Sequence, residues 1–164
     1  MLKDTLKDDM KAAMKSGDAR AKSTIAMLLS AVKNRELDKR SKLAKAGTPD
    51  AELDASSALT DEEVVEVIGS EIKKRKESIA TFEQAGRAEL AEGEKAEMEV
   101  LVKYLPEQMG EDEVRKLVTE AVAETGAATP KDMGKVMAKV SPKTKGRFDG
   151  SRLAELVKES LMAK

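Results

Sequence analysis

The sequence predicts an all-α protein, with a helical N-terminal subdomain over residues 1–105 followed by a small three-helix C-terminal tail over 106–164. Apolar residues recur at three- and four-residue spacing through most of the chain, and no stretch alternates apolar and polar long enough for a strand. The apolar set is aliphatic, with Tyr104, Phe82 and Phe148 the only aromatic residues, while 37% of all residues are charged. Amphipathic helices sharing modest cores have this composition. Pro106 interrupts the pattern, and PEQMG at 106–110 reads as a hinge between the two periodic regions.

The elements follow in order. Leu2, Leu6, Met10 and Met14 repeat every four residues, predicting a helix that ends near Ser16-Gly17. Asp18 caps a second helix whose apolar face is Ile25, Leu28, Leu29 and Val32. It runs to about Ala46, and its charged second half is expected to fray or project into solvent. Residues 47–59, with Gly, Pro, Ser and Asp and no apolar period, read as a linker. Thr60 and Glu63 form a capping box that opens a helix to about Ala85, lined by Val64, Ile68, Ile72, Ile79 and Phe82. A fourth helix spans about Arg87 to Tyr104, with Met98, Leu101, Val102 and Leu105 as its stripe. In the tail, Val114, Leu117, Val118, Ala121 and Val122 mark one helix, ended by Gly126. Thr129 caps the next, Pro130 takes its first position, and Ser141-Pro142 ends it. Asp149 caps the last, which buries Leu153, Leu156, Val157 and Leu161.

Composition narrows the function classes. The chain has no Cys and no His, which removes thiolate metal sites and the commonest acid–base group at neutral pH. No apolar run is long enough to cross a bilayer, and MLKDTLKDDM has no signal-peptide core, so the expectation is a cytoplasmic protein without membrane contact. The net charge of −1 hides an asymmetry: residues 50–99 carry −9, and 131–152 carry +5. The local field, more than the whole-chain balance, points at a partner.

That basic segment is the candidate site. Lys131, Lys135 and Lys139 recur at four-residue spacing beside the Met133, Val136, Met137 and Val140 stripe. Lys143, Lys145 and Arg147 follow in an expected loop, where Gly146 opens backbone angles closed to other residues, and Arg152 lies just beyond. Cationic side chains beside free backbone amides suit phosphate. From the residues alone, a solvated lysine face ending in a loop is the favoured account. A second basic patch at Lys33, Arg35, Lys39, Arg40, Lys42 and Lys45 is expected to pair with the acidic helices of 60–99. Enzyme signatures are weak. Ser30 and Lys33 fit S-x-x-K without companion motifs, and neither a P-loop nor G-x-G-x-x-G occurs. Glu62, Glu63 and Glu66, or Glu92 with Glu94, read as a solvated acidic face, so neither metal nor cofactor is expected.

YLPEQMGEDEV at 104–114, ETGA at 124–127, DMGKVM at 132–137 and KGRFDG at 145–150, with KRKESIATFEQAGRAEL at 74–90, occur in an order that resembles the YqeY family. That family is similar in its helical architecture to the tail of the B subunit of the glutamine-dependent tRNA amidotransferase, where the related region helps hold tRNA near its elbow. The resemblance implies Gly134, Lys135, Lys145, Gly146, Arg147 and Gly150 as the matching positions. It implies a tRNA-binding module, associated with glutamine-dependent carbon–nitrogen ligation and without catalysis of its own. Met27 and Phe148 depart from many relatives, so helix two is expected to make no RNA contact and Phe148 to fill the tail's core. The alternatives are a protein-interaction adaptor docking through the acidic helices of 60–104, or an accessory subunit supporting amidation in trans.

Overall fold

Two helical hairpins and one short helix make the first half of the chain. The computed structural model describes residues 1–163, and the chain divides into two units, Met1–Leu105 and Pro106–Lys164. In the first unit, α1 (Leu2–Ser16) turns at Gly17, whose φ of 75° lies in the left-handed region, into α2 (Ala19–Lys45). The Asp18 carboxylate accepts from the Ala21 amide and caps α2. α4 (Asp61–Gln84) begins with the Thr60–Glu63 capping box and turns at Gly86 into α5 (Ala88–Val102). Leu6, Ile25, Leu28, Val32, Leu59, Val64, Ile68, Ile72 and Leu101 form their shared core.

The expected linker at 47–59 is a helix over most of its length. α3 (Asp50–Ser57) packs on α2 and buries Leu53 and Ser57. With Leu53 the one large apolar residue in eight, there is no period to read, whereas Pro49 at the N-cap and the carboxylates of Asp50 and Glu52 in the first turn favour a start here. The charged half of α2 does not project freely either. Glu36 is buried, Lys39 bonds Glu63, and Arg40 bonds Asp54 of α3.

Two apolar stripes shift in phase. Met14 is 56% exposed and Ala13 is buried in its place. A four-residue repeat drifts by about 40° per step around a helix of 3.6 residues per turn, so Ala13 lies closer to Leu6 in phase than Met14 does. Val102, where α5 ends, is also exposed, while Leu101 is buried.

The second unit holds α6 (Glu111–Thr125), a 3-10 turn (Pro130–Asp132), α7 (Met133–Thr144) and α8 (Gly150–Met162). Val114, Val118, Val122, Val136, Val140, Leu153, Leu156, Val157 and Leu161 are buried together, and Phe148 packs against them as a core residue. Asp132, more than Thr129, satisfies the start of this pair of turns, because its Oδ2 accepts from the amides of Ala128 and Thr129 and from the Thr129 hydroxyl. α7 continues through Pro142 to Thr144 instead of ending at Ser141-Pro142. Proline there cannot donate to the Ala138 carbonyl, but Ala138 is exposed, so water can satisfy that oxygen. Among the described residues there is no strand, and no helix is long and apolar enough to cross a membrane.

Candidate nucleic-acid interface

The turn after α7 is held from both sides. Thr144 Oγ1 donates back to the Val140 carbonyl at 3.0 Å, and the Thr144 carbonyl accepts from the amides of Arg147 and Phe148 at 2.9 and 3.0 Å. Gly146 has a φ of 72°, which any side chain would make costly, and this lets the chain reverse. Asp149 then accepts from the Arg152 amide at 2.9 Å to cap α8. On its other side the turn binds the extended segment 106–110. The Met109 amide donates to the Arg147 carbonyl at 2.8 Å, and Gln108 Nε2 donates to the carbonyls of Gly146 at 2.9 Å and Pro106 at 2.8 Å. Arg147 Nε donates to the Glu107 carbonyl at 3.0 Å. The sequence marks this turn as basic and flexible; the structure makes it an ordered two-sided join.

The candidate cations differ in their surroundings. Lys135, Lys139 and Lys143 are all exposed on α7, flanking the buried Val136 and Val140, and Lys131 is exposed in the 3-10 turn before it. Lys135 pairs with Asp132 at 3.0 Å, and Lys139 with Glu124 at 2.6 Å. The Lys135 ammonium and the Ala128 and Thr129 amides pull Asp132 down to about 2, and Lys139 also holds Glu124 below the usual carboxylate range. Lys143 lies in α7 rather than in a loop, and Lys145 is exposed just after it. Gly134 and Gly150 are exposed in the first turns of α7 and α8.

Arg152 does not join this group. Its guanidinium donates to Glu111 at 2.9 and 3.1 Å, to Glu155 at 2.8 Å and to Glu159 at 3.2 Å, and Arg115 bonds Glu111 and Glu159 from α6. A phosphate would have to displace three carboxylates from it. The network ties α6 to α8, and the bonds from Arg152 and Arg115 hold Glu111 down at about 2. A carboxylate with a depressed folded-state pKa contributes stability that is present above its unfolded value, near 4.5, and is lost as pH falls towards about 2. Between pH 5 and 2 the tail's melting temperature should therefore fall more steeply in the wild type than in Glu111→Gln, read by circular dichroism. Equal slopes would remove Glu111 from the account of acid stability.

The first unit meets the remaining expectations unevenly. In the second basic patch, Lys39 pairs with Glu63 of α4 as expected, whereas Arg40 pairs with Asp54 of α3, outside the acidic helices of 60–99. Glu63 is thereby committed twice, to Lys39 and to the Thr60 amide, and it lies below the normal carboxylate range for those reasons. Ser30 Oγ donates to the Ala26 carbonyl at 3.0 Å, the ordinary back-bond of a helical serine. Among the described residues, no three acidic side chains converge as metal ligands.

Two residues of note were not singled out from sequence. Arg75, in the basic run of residues 73–76, is only 7% exposed and bonds Glu71 and Glu97. Glu36 is buried and accepts from Lys3 and the Leu59 amide. Burial raises its pKa, but those two bonds and the Lys3 and Lys33 charges outweigh it, leaving the carboxyl below its ordinary value. The signal was available in helical phase. Arg75 falls on the stripe of Ile68, Ile72 and Ile79, and Glu36 on that of Ile25, Leu28 and Val32.

The family model of YqeY-like proteins matches residues 3–161. The chain belongs to the YqeY-like family. Curated relatives are called "Altered inheritance of mitochondria protein 41, mitochondrial". The one from Candida glabrata is 35% identical over 103 residues, covering 63% of this chain and 49% of its own length. The protein from Clavispora lusitaniae is 30% identical over 125 residues, 75% of this chain and 64% of that one. That from Pyrenophora tritici-repentis is 32% identical over 162 residues, 97% and 80% of the two. The YqeY-like chain thus spans about half the length of the Candida relative and under two-thirds of the Clavispora one. These names overturn the cytoplasmic expectation drawn from the lack of a signal-peptide core, since the relatives are named as mitochondrial proteins.

Proposed function

We propose that this YqeY-like chain is a non-catalytic tRNA-binding module whose contact surface is the exposed lysine face of α7, continued by Lys145 and Arg147. The observation that carries the reading is the run of exposed lysines, Lys131 in the 3-10 turn and Lys135, Lys139 and Lys143 as a drifting stripe on α7, leading directly into the ordered KGRFDG turn. The pairs that Lys135 and Lys139 make do not oppose it. Both are solvent-exposed, and such pairs contribute about 0–1 kcal/mol, so phosphates can take the place of Asp132 and Glu124 at small cost. Resemblance to the amidotransferase tail supports tRNA as the polyanion, with any amide chemistry left to other proteins. Acidic-face docking is the weaker reading, because Glu63 is already committed to Lys39 and Thr60.

A salt series separates the two. If tRNA is held through phosphates, affinity falls linearly on a log–log plot, and Lys145→Ala with Arg147→Ala reduces the slope by about 1 to 2. Loss of affinity without a change of slope would remove those two cations from the contact. A protein partner that survives nuclease treatment and is lost in Glu62→Lys would support the adaptor instead.

A further inference from the structure

We propose, resting on the tRNA reading, that the segment 106–110 is part of the binding site, acting as the positioning element for Arg147. The Arg147 guanidinium is divided in its duties. Nε is committed to the Glu107 carbonyl at 3.0 Å, whereas Nη1 and Nη2 have no protein partner among the described residues. Those two nitrogens form the outer edge of the fork that meets a phosphate bidentately. Two further bonds cross the same join and hold the Arg147 backbone, Met109 amide to Arg147 carbonyl and Gln108 Nε2 to the Gly146 carbonyl, while Gln108 Nε2 also braces the segment internally at the Pro106 carbonyl. Met109 is itself buried in the tail core, so the segment is anchored and cannot slide along the turn. Gln108 carries no charge and is exposed, so its part is to hold the turn without meeting phosphate.

Two consequences follow from linkage. A change that loosens 106–110 weakens tRNA binding without removing a cation, and bound tRNA in turn makes 106–110 harder to open. The reciprocal effect has a size. If opening the join abolishes binding, exchange of the Met109 amide slows by a factor of 1 + [tRNA]/Kd, about 100-fold at 100 Kd.

The test uses the full chain and tRNA in two arms. Gln108→Met keeps side-chain length and removes both donors. It should weaken tRNA binding about threefold to tenfold with the salt slope unchanged, and speed Met109 amide exchange in the free protein. In wild-type protein, saturating tRNA should slow Met109 exchange at least tenfold, while the Gly126 amide at the far end of α6 changes little. Arg147→Lys, which keeps the charge but cannot hold Glu107 and present a fork together, should lose affinity like Gln108→Met. Met109 exchange indifferent to saturating tRNA, or Gln108→Met binding at wild-type affinity, overturns the positioning role while leaving tRNA binding intact. Wild-type protein that binds no tRNA overturns both readings, and so differs from either of those results.

Discussion

Arg75→Ala is expected to destabilise the first unit by about 3 kcal/mol, because breaking one side of a buried ion pair typically costs 3–5. The guanidinium reaches Glu71 Oε2 at 3.2 Å from one nitrogen and Glu97 Oε2 at 3.0 Å from another, tying α4 to α5. Its side chain is 8% exposed and those of Glu71 and Glu97 are 15% and 29% exposed. Removing it leaves Glu71 with Lys74 but leaves Glu97 without a counterion, beside a space the size of the lost stem. Urea titration reads the loss. Pairing Arg75→Met with Glu97→Gln should recover most of it, since an apolar side chain of similar length fills the space and no lone charge remains. A cost below about 0.5 kcal/mol for Arg75→Ala would place the residue among ordinary surface arginines.

Leu156→Ala is expected to cost the tail about 3 kcal/mol, within the 2–5 typical of buried leucine truncations. Leu156 is 1% exposed, in the cluster that joins α6, α7 and α8. A unit of roughly 60 residues has only about 3–5 kcal/mol to lose, so the tail should be largely unfolded at physiological temperature. Because Met1–Leu105 has a separate apolar core, hydrogen exchange should show protection lost over 106–163 and kept in α2 and α4. Uniform loss across both units would contradict the separation of the two cores. The same variant gives a folded-state control for the binding experiments, since a tail that cannot fold cannot present the turn.

Much of the architecture is legible in the sequence because it rests on local rules. The Thr60–Glu63 box, the Asp18 and Asp149 caps and the glycines at 17, 86 and 126 announce helix ends through backbone chemistry, and the structure places them there. Local rules fail where the stabilising partner is distant in sequence. α3 carries no period of its own and exists because Leu53 meets α2. The burial of Glu36 depends on Lys3 and Leu59, and that of Arg75 on Glu97. The site divides in the same way. Its lysine stripe is visible as a four-residue repeat, but the occupation of Arg152 by carboxylates from two helices, and the seating of Arg147 on Glu107, join residues about 40 positions apart.

The central claim is that the basic face of the tail holds tRNA through its phosphates, and tRNA affinity of the full chain measured from low to moderate salt tests it most directly. With Lys131, Lys143 and Arg147 each neutralising one phosphate, log K against log salt should be linear with a slope of about −2 to −3, steepening if Lys135, Lys139 and Lys145 exchange their present interactions for phosphates. No measurable tRNA affinity at low salt, or an affinity indifferent to salt, would contradict it.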